Sequence, residues 1–179
     1  MIEQTKWIER KFNFDFPVAL APVILERIRG AVPRIEAVTS GLPSELLITQ
    51  TDGKWSIQEQ IGHLHDLDAL HDGRIDDYLA GKSELRAADM ANAKSKAAGH
   101  NDLSYSEVLD GLRRSRIAFI DRVEELDTKD FERIALHPRL QKQMRLVDML
   151  LFVAEHDDHH ISMMRNILKR LSDNTNSPR

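Results

Sequence analysis

The sequence predicts an all-α fold, a four-helix bundle with long connections. Three observations predict it. Apolar residues recur at helical spacing in several long segments, two-residue alternation is scarce, and two Ser-x-x-Glu capping boxes stand directly before apolar-periodic runs. The chain has 179 residues, 41% of them hydrophobic, which suits one domain with a real core. Residues 1–179 are therefore expected to form a single domain. An aromatic arm over residues 1–20, with Phe12, Phe14 and Phe16, is placed to pack on the domain or on a partner chain. A polar tail over residues 172–179 is expected to fray.

The first helix is expected from about Pro22 to Val38, burying Val23, Ile24, Ile28, Ile35 and Val38. Pro33 lies inside it and lacks a backbone donor, which predicts a kink or break there, and Gly41-Leu42-Pro43 ends it. The second helix begins at the box Ser56-Ile57-Gln58-Glu59, continues through Ile61, Leu64, Leu67 and Leu70, and stops near Ala80-Gly81. A polar connection, mobile or holding a short helix, covers Lys82 to Asp102. The box Ser104-Tyr105-Ser106-Glu107 opens a third helix with Val108, Leu112, Ile117, Phe119, Ile120 and Val123 as its apolar set. A connector from Asp127 to Gln143 contains His137-Pro138, and a last helix follows from about Leu146 to Leu171.

Composition excludes several classes of function. Lys plus Arg number 25 against 29 Asp plus Glu, a net charge of −4 without the basic surplus of a dedicated nucleic-acid binder. There is no cysteine, so disulfides, thiolate ligands, iron–sulfur clusters and a cysteine nucleophile are ruled out. No apolar run reaches membrane-spanning length, and the first residues lack the apolar core of a signal peptide. A cytoplasmic protein with no membrane or nucleic-acid partner is the expectation. Metal chemistry has to run through the eight histidines.

The last helix carries the most informative of them. Its apolar stripe reads Leu146, Met149, Leu150, Val153, then Met164, Ile167, Leu168 and Leu171, and the gap is filled by His156 and His160. These are one helical turn apart, and imidazoles at that spacing can share a divalent ion. Taken alone, such a pair is more often a solvated face or a hydrogen-bonded couple. On a core-facing seam, though, two unpartnered imidazoles would each cost stability. His159 is rotated by about 100° to another face. The second helix offers His63, His65 and His71, of which His63 stands beside the buried seam and is the preferred third ligand. Three protein ligands leave a coordination position open for water or substrate, as catalytic sites do. Asp66, three residues after His63, is the candidate general acid or base and an acceptor for a ligand imidazole. Glu155, Asp157 and Asp158 flank the pair as further acceptors, although each taken singly reads as a surface acid. His100 and His137 fall in expected loops and read as solvated. Trp7 and Trp55 read as packing residues, Trp55 against the start of the second helix.

At these residues the sequence resembles the DinB-like superfamily, in particular its YfiT-like branch. The pieces are Lys54-Trp55-Ser56-Ile57-Gln58-Glu59 with Gly62-His63-Leu64, then His137-Pro138, then Ala154-Glu155-His156-Asp157-Asp158-His159-His160-Ile161. Their order and separation across roughly Pro22 to Leu171 carry the resemblance. It implies a four-helix bundle with a three-histidine site for zinc or nickel, formed by His63, His156 and His160, and frequently a homodimer. Members resemble thiol-dependent transferases or isomerases, metal-dependent hydrolases, or stress-associated proteins. One stretch departs from the pattern. Arg139-Leu140-Gln141-Lys142-Gln143-Met144 replaces the usual glycine turn, and no Thr caps the last helix.

Two functions are thus expected to compete. One is a divalent-metal enzyme, a hydrolase or a transferase using a low-molecular-weight thiol, in which Arg139, Lys142 and Arg145 could meet a cofactor carboxylate or merely form a solvated rim. The other is a non-catalytic, dimeric metal-binding module.

Overall fold

The computed structural model describes residues 3–176, with side chains through Asp173. Four helical arms form the bundle: α1 (Ala21–Arg29) continuing into α2 (Ala31–Thr39), then α4 (Ile57–Leu79), α6 (Tyr105–Glu124) and α7 (Leu146–Asn176). Short helices α3 (Ser44–Leu47) and α5 (Ala93–Ala97) lie in the connections. A two-stranded antiparallel hairpin, β1 (Ile134–His137) with β2 (Lys142–Arg145), leads into α7. No helix of the described residues is long and apolar enough to cross a membrane.

Both capping boxes form. Ser56 Oγ accepts the Glu59 amide at 3.1 Å and the Glu59 carboxylate accepts the Ser56 amide at 2.7 Å; Ser104 and Glu107 repeat the exchange. Helix α4 ends where expected, with Gly81 at φ 67°, a left-handed conformation that suits glycine. The start of α7 is capped without a Thr: the Asp148 carboxylate accepts the Arg145 amide at 2.7 Å. That helix extends past Leu171 to Asn176, and residues 177–179 of the expected tail lie outside the described residues.

Three expectations need correction. The first helix breaks at Gly30 and not at Pro33, which falls in the first turn of α2, where a missing N–H costs little. Val23 and Ile117, counted in the apolar sets, are 60% and 53% exposed, because each lies on the face of its helix turned away from the buried stripe. The 127–143 connector contains a hairpin whose four-residue strands are too short to show a period-two pattern, with Gln141 taking a left-handed turn conformation at φ 51°. The Lys82–Asp102 connection holds the short helix α5, one of the two forms expected of it, and is tied down before it: the Leu85 amide donates to the Leu136 carbonyl and the Leu136 amide to the Ser83 carbonyl, around a parallel bridge between Glu84 and Leu136.

The N-terminal arm packs on its own domain. Phe12 is buried with Phe152 and Trp7, and Lys142 and Arg145 donate to the carbonyls of Phe12, Phe14 and Phe16. Gln4 donates to the carbonyl of His159, and Arg10 pairs with Glu155.

A buried ion cluster sets the rotation of α7. Arg116 on α6 grips Asp157 with two hydrogen bonds (2.6 and 3.1 Å) and reaches Asp68 on α4 at 3.1 Å. Burial pushes the Asp157 carboxyl up to about 6, against the pull of Arg116. Arg116→Met would strand two buried carboxylates and should cost about 3–5 kcal/mol in chemical denaturation. Arg122→Ala, which breaks only part-exposed pairs with Asp72 and Asp76, should cost less than about 1 kcal/mol.

Candidate metal centre

Helices α4 and α7 meet with their seams facing, and His63, His156 and His160 come together at that contact. One ring nitrogen from each lies within 4.8 Å of the others, and all three side chains are buried. His160 Nε2 and His156 Nε2 are 3.1 Å apart. Two nitrogens held by one tetrahedral ion at about 2.1 Å would be separated by about 3.4 Å, so little movement divides this arrangement from a ligand pair.

The outer nitrogens are already engaged. His160 Nδ1 is hydrogen-bonded to Gln60 Oε1, an oxygen that can only accept, so the proton sits on Nδ1 and the lone pair on Nε2 faces the centre. His63 Nδ1 lies 3.1 Å from Ser95 Oγ. Ser95 in turn hydrogen-bonds the Asp66 carboxylate, so the hydroxyl donates to Asp66 and accepts from His63. His63 is thereby left with its Nε2 lone pair pointing inward, while Trp55 packs over its ring at 4.7 Å between centroids. Such outer contacts fix ring orientation and raise ligand basicity. Burial holds all three imidazoles neutral, with His63 pushed down to about 4.

The other candidates are placed differently. Asp66 touches His63 only through Ser95; it pairs directly with His100 Nε2 at 2.9 Å and with Lys94. Asp157 serves the Arg116 cluster, while Glu155 and Asp158 bind Arg10, Arg27 and Arg34. None of these three accepts from a histidine of the centre. His65 faces α6, with Nδ1 3.0 Å from Ser115 Oγ. His159 packs on Trp7 and Gln4. His100 and His137, read as solvated, are 6% and 2% exposed. The loop assignment hid their packing: the His100 ring lies against Gly62 of α4, and His137 ends β1 with its ring 5.1 Å from that of Phe152.

A cavity of about 320 Å³ adjoins the centre through His156. Trp7, Phe152, Leu67 and Leu70 give it an apolar wall, and His71, Arg74, His137 and Arg139 line it as well. Neither Asp66 nor any other carboxylate lines it. Sequence reasoning missed Gln60, Ser95, Arg74 and the cavity role of His71 and His137. One signal was available: Gly62 and Gly73 interrupt a 23-residue helix, and a Cβ at Gly62 would lie 2.3 Å from the His100 ring. A glycine in mid-helix marks a close approach from another element.

The chain matches the DinB superfamily over residues 27–164. It belongs to that family. Among solved structures it is similar to YfiT from Bacillus subtilis, described as a probable metal-dependent hydrolase with an unusual four-helix bundle topology. That likeness has a TM-score of 0.78 and 19% identity and covers 92% of this chain and 94% of that one. A mycothiol-dependent maleylpyruvate isomerase shares the fold at TM-score 0.64 and 11% identity, over 83% of this chain and 60% of the isomerase. An uncharacterised protein from Clostridium difficile 630 follows at TM-score 0.62 and 10% identity, over 83% and 95% of the two chains. A sequence search of curated proteins returns no match.

Neutral buried imidazoles have a consequence for the metal-free protein. The unfolded chain binds protons near pH 6.5, whereas folded His63 does so only near about 4. Stability should therefore fall as pH drops from 6.5 toward 4, by up to about 1.4 kcal/mol per pH unit for each such imidazole. Denaturation of chelator-treated protein at a series of pH values measures this, and His63→Phe should flatten the slope.

Proposed function

We propose that the chain is a divalent-metal enzyme whose cation, zinc or nickel, is held by His63, His156 and His160. The observation that carries this reading is the convergence of three neutral imidazoles, two of them oriented by outer hydrogen bonds, beside a mainly apolar cavity. A closed structural site would use a fourth protein ligand, whereas three leave a position for water or substrate. The donor set fits: nitrogen ligands suit zinc and nickel, and the Gln60 and Ser95 hydrogen bonds present lone pairs and not protons.

A divalent cation there supplies Lewis acidity, which lowers the pKa of a coordinated water or thiol toward neutrality. The chain's own residues do the rest. Gln60 and Ser95 orient two of the rings, with Asp66 as a positioning residue acting through Ser95. Trp7, Phe152, Leu67 and Leu70 exclude water and receive an apolar substrate body.

Transfer involving a low-molecular-weight thiol is the first reading of the reaction. Asp66, the acid named from sequence, does not line the cavity, so no carboxylate base faces a substrate there, and ionising a thiol does not require one. The mycothiol-dependent isomerase that shares the fold supports the same reading. Hydrolysis is the second reading, favoured by His71, a neutral imidazole in the cavity wall that could take a proton from water, and by the likeness to YfiT.

Elemental analysis should find about one zinc or nickel per chain, and His156→Ala and His160→Ala should abolish it. Gln60→Leu should weaken metal affinity about 10–100-fold while leaving the fold intact. Metal-loaded protein is then assayed with a series of small thiols plus an electrophile, and separately with activated esters. Thiol consumption lost in His156→Ala supports the first reading, and ester cleavage without thiol supports the second. Wild type that takes up no metal after supplementation overturns both.

A further inference from the structure

The end of the cavity away from the three histidines is lined by Arg74 and Arg139, neither of which makes a salt bridge among the described residues. Arg74 on α4 is 1% exposed, and its Nε and Nη2 donate to the carbonyl of Arg86 at 3.2 and 3.1 Å, leaving Nη1 without a partner among the described residues. Arg139, on the hairpin turn, lies over the rings of Trp7 and Phe152, and its Nη2 is buried with no hydrogen bond. His137 Nδ1 accepts the Leu140 amide at 3.3 Å, so the neutral ring carries its proton on Nε2, which is again buried and unpartnered. His71 Nδ1 is the fourth polar atom of the cavity wall without a partner.

Orphaned buried donors are rare, because each costs free energy that water or a partner would otherwise return. Four polar atoms on one apolar cavity, with two guanidinium groups among their side chains and no carboxylate in the wall, describe a cradle for a negative charge. Burial, helped by the nearby Arg139 and Arg86, holds Arg74 down to about 10 against the pull of Asp77 at a distance, so an anion seated directly on it would meet a cation that makes no ion pair of its own.

The geometry points to an anion subsite formed by Arg74, Arg139 and His137 that binds the carboxylate of a small substrate or cofactor, the apolar body lying between Trp7 and Phe152. The assignment of that molecule as the substrate rests on the metal-enzyme reading above; the subsite itself does not. Spacing along α4 sets its size. Leu67, one turn beyond His63, and Arg74 are seven residues apart, about 10 Å along the helix axis, so a carboxylate on Arg74 leaves room for a body of about six to eight carbon atoms before the centre is reached. An aryl or medium-chain alkyl monocarboxylate has this form.

The test is titration calorimetry with phenylpropionate and with its neutral amide, on the protein as purified and after chelator dialysis. The acid should bind at least tenfold more tightly than the amide in both states. Arg139→Met, at a part-exposed turn position, should remove that preference, and Arg74→Lys, which keeps the charge but loses the planar fork that holds the Arg86 carbonyl while Nη1 faces the cavity, should weaken it. Should Arg74→Lys not fold, Arg139→Met decides alone. Equal binding of acid and amide, or no binding of either, overturns the subsite. So does a preference seen only with metal present and abolished by His156→Ala but not by Arg139→Met, since the carboxylate then sits on the metal and the metal reading survives. Full displacement by millimolar inorganic phosphate overturns the carboxylate assignment in favour of a phosphate.

Discussion

Two inward lone pairs with no proton to share are the constraint on which the rest of this structure depends. Gln60 fixes the proton of His160 on its outer nitrogen, and Ser95 does the same for His63, so both inner nitrogens face the centre as acceptors. His156 can offer a single proton to one of them. In a buried pocket, acceptors that face one another repel and lack the water that would otherwise satisfy them. A cation relieves the conflict at once, whereas packing alone does not.

The fold exists around that point in a specific way. Helices α4 and α7 run with opposite sense, so moving from His63 toward Arg74 on one helix is moving from His160 toward Phe152 on the other. The line therefore passes from centre to apolar wall to guanidinium groups. Arg116, clamped to Asp157 and Asp68, stops α7 from rotating and keeps His156 and His160 on the α4 side. The N-terminal arm closes the remaining side: Trp7 meets His156 edge to face at 4.8 Å between ring centroids and also forms part of the cavity wall. Segments far apart in sequence thus converge on one small volume.

The legible part of this was the part written in local chemistry. Two capping boxes and the apolar stripes placed the starts of α4 and α6 and the body of α7, and the stripe on α7 selected His156 and His160 from four adjacent polar residues. His63 followed from its place beside the α4 seam. What could not be read was long-range. That Gln60 would orient His160, that Ser95 from a separate helix would orient His63, and that Asp66 would pair first with His100 all depend on how connections fold back, which periodicity does not encode. The break at Gly30 shows the same limit in reverse. Pro33 looked like the interruption, yet a proline in the first turn of a helix loses no hydrogen bond, and the glycine three residues before it took the bend. His100 and His137 were misjudged because a loop position says little about burial when the loop is itself packed.

X-ray absorption spectroscopy of the metal-loaded protein reads the ligand set itself. A cation held by His63, His156 and His160 should give a first shell of nitrogen and oxygen donors at about 2.0–2.1 Å, with outer-shell multiple scattering from three imidazoles. His63→Ala should lower that number to two. A shell of oxygen donors without imidazole scattering, or a spectrum unchanged by His63→Ala, would contradict it.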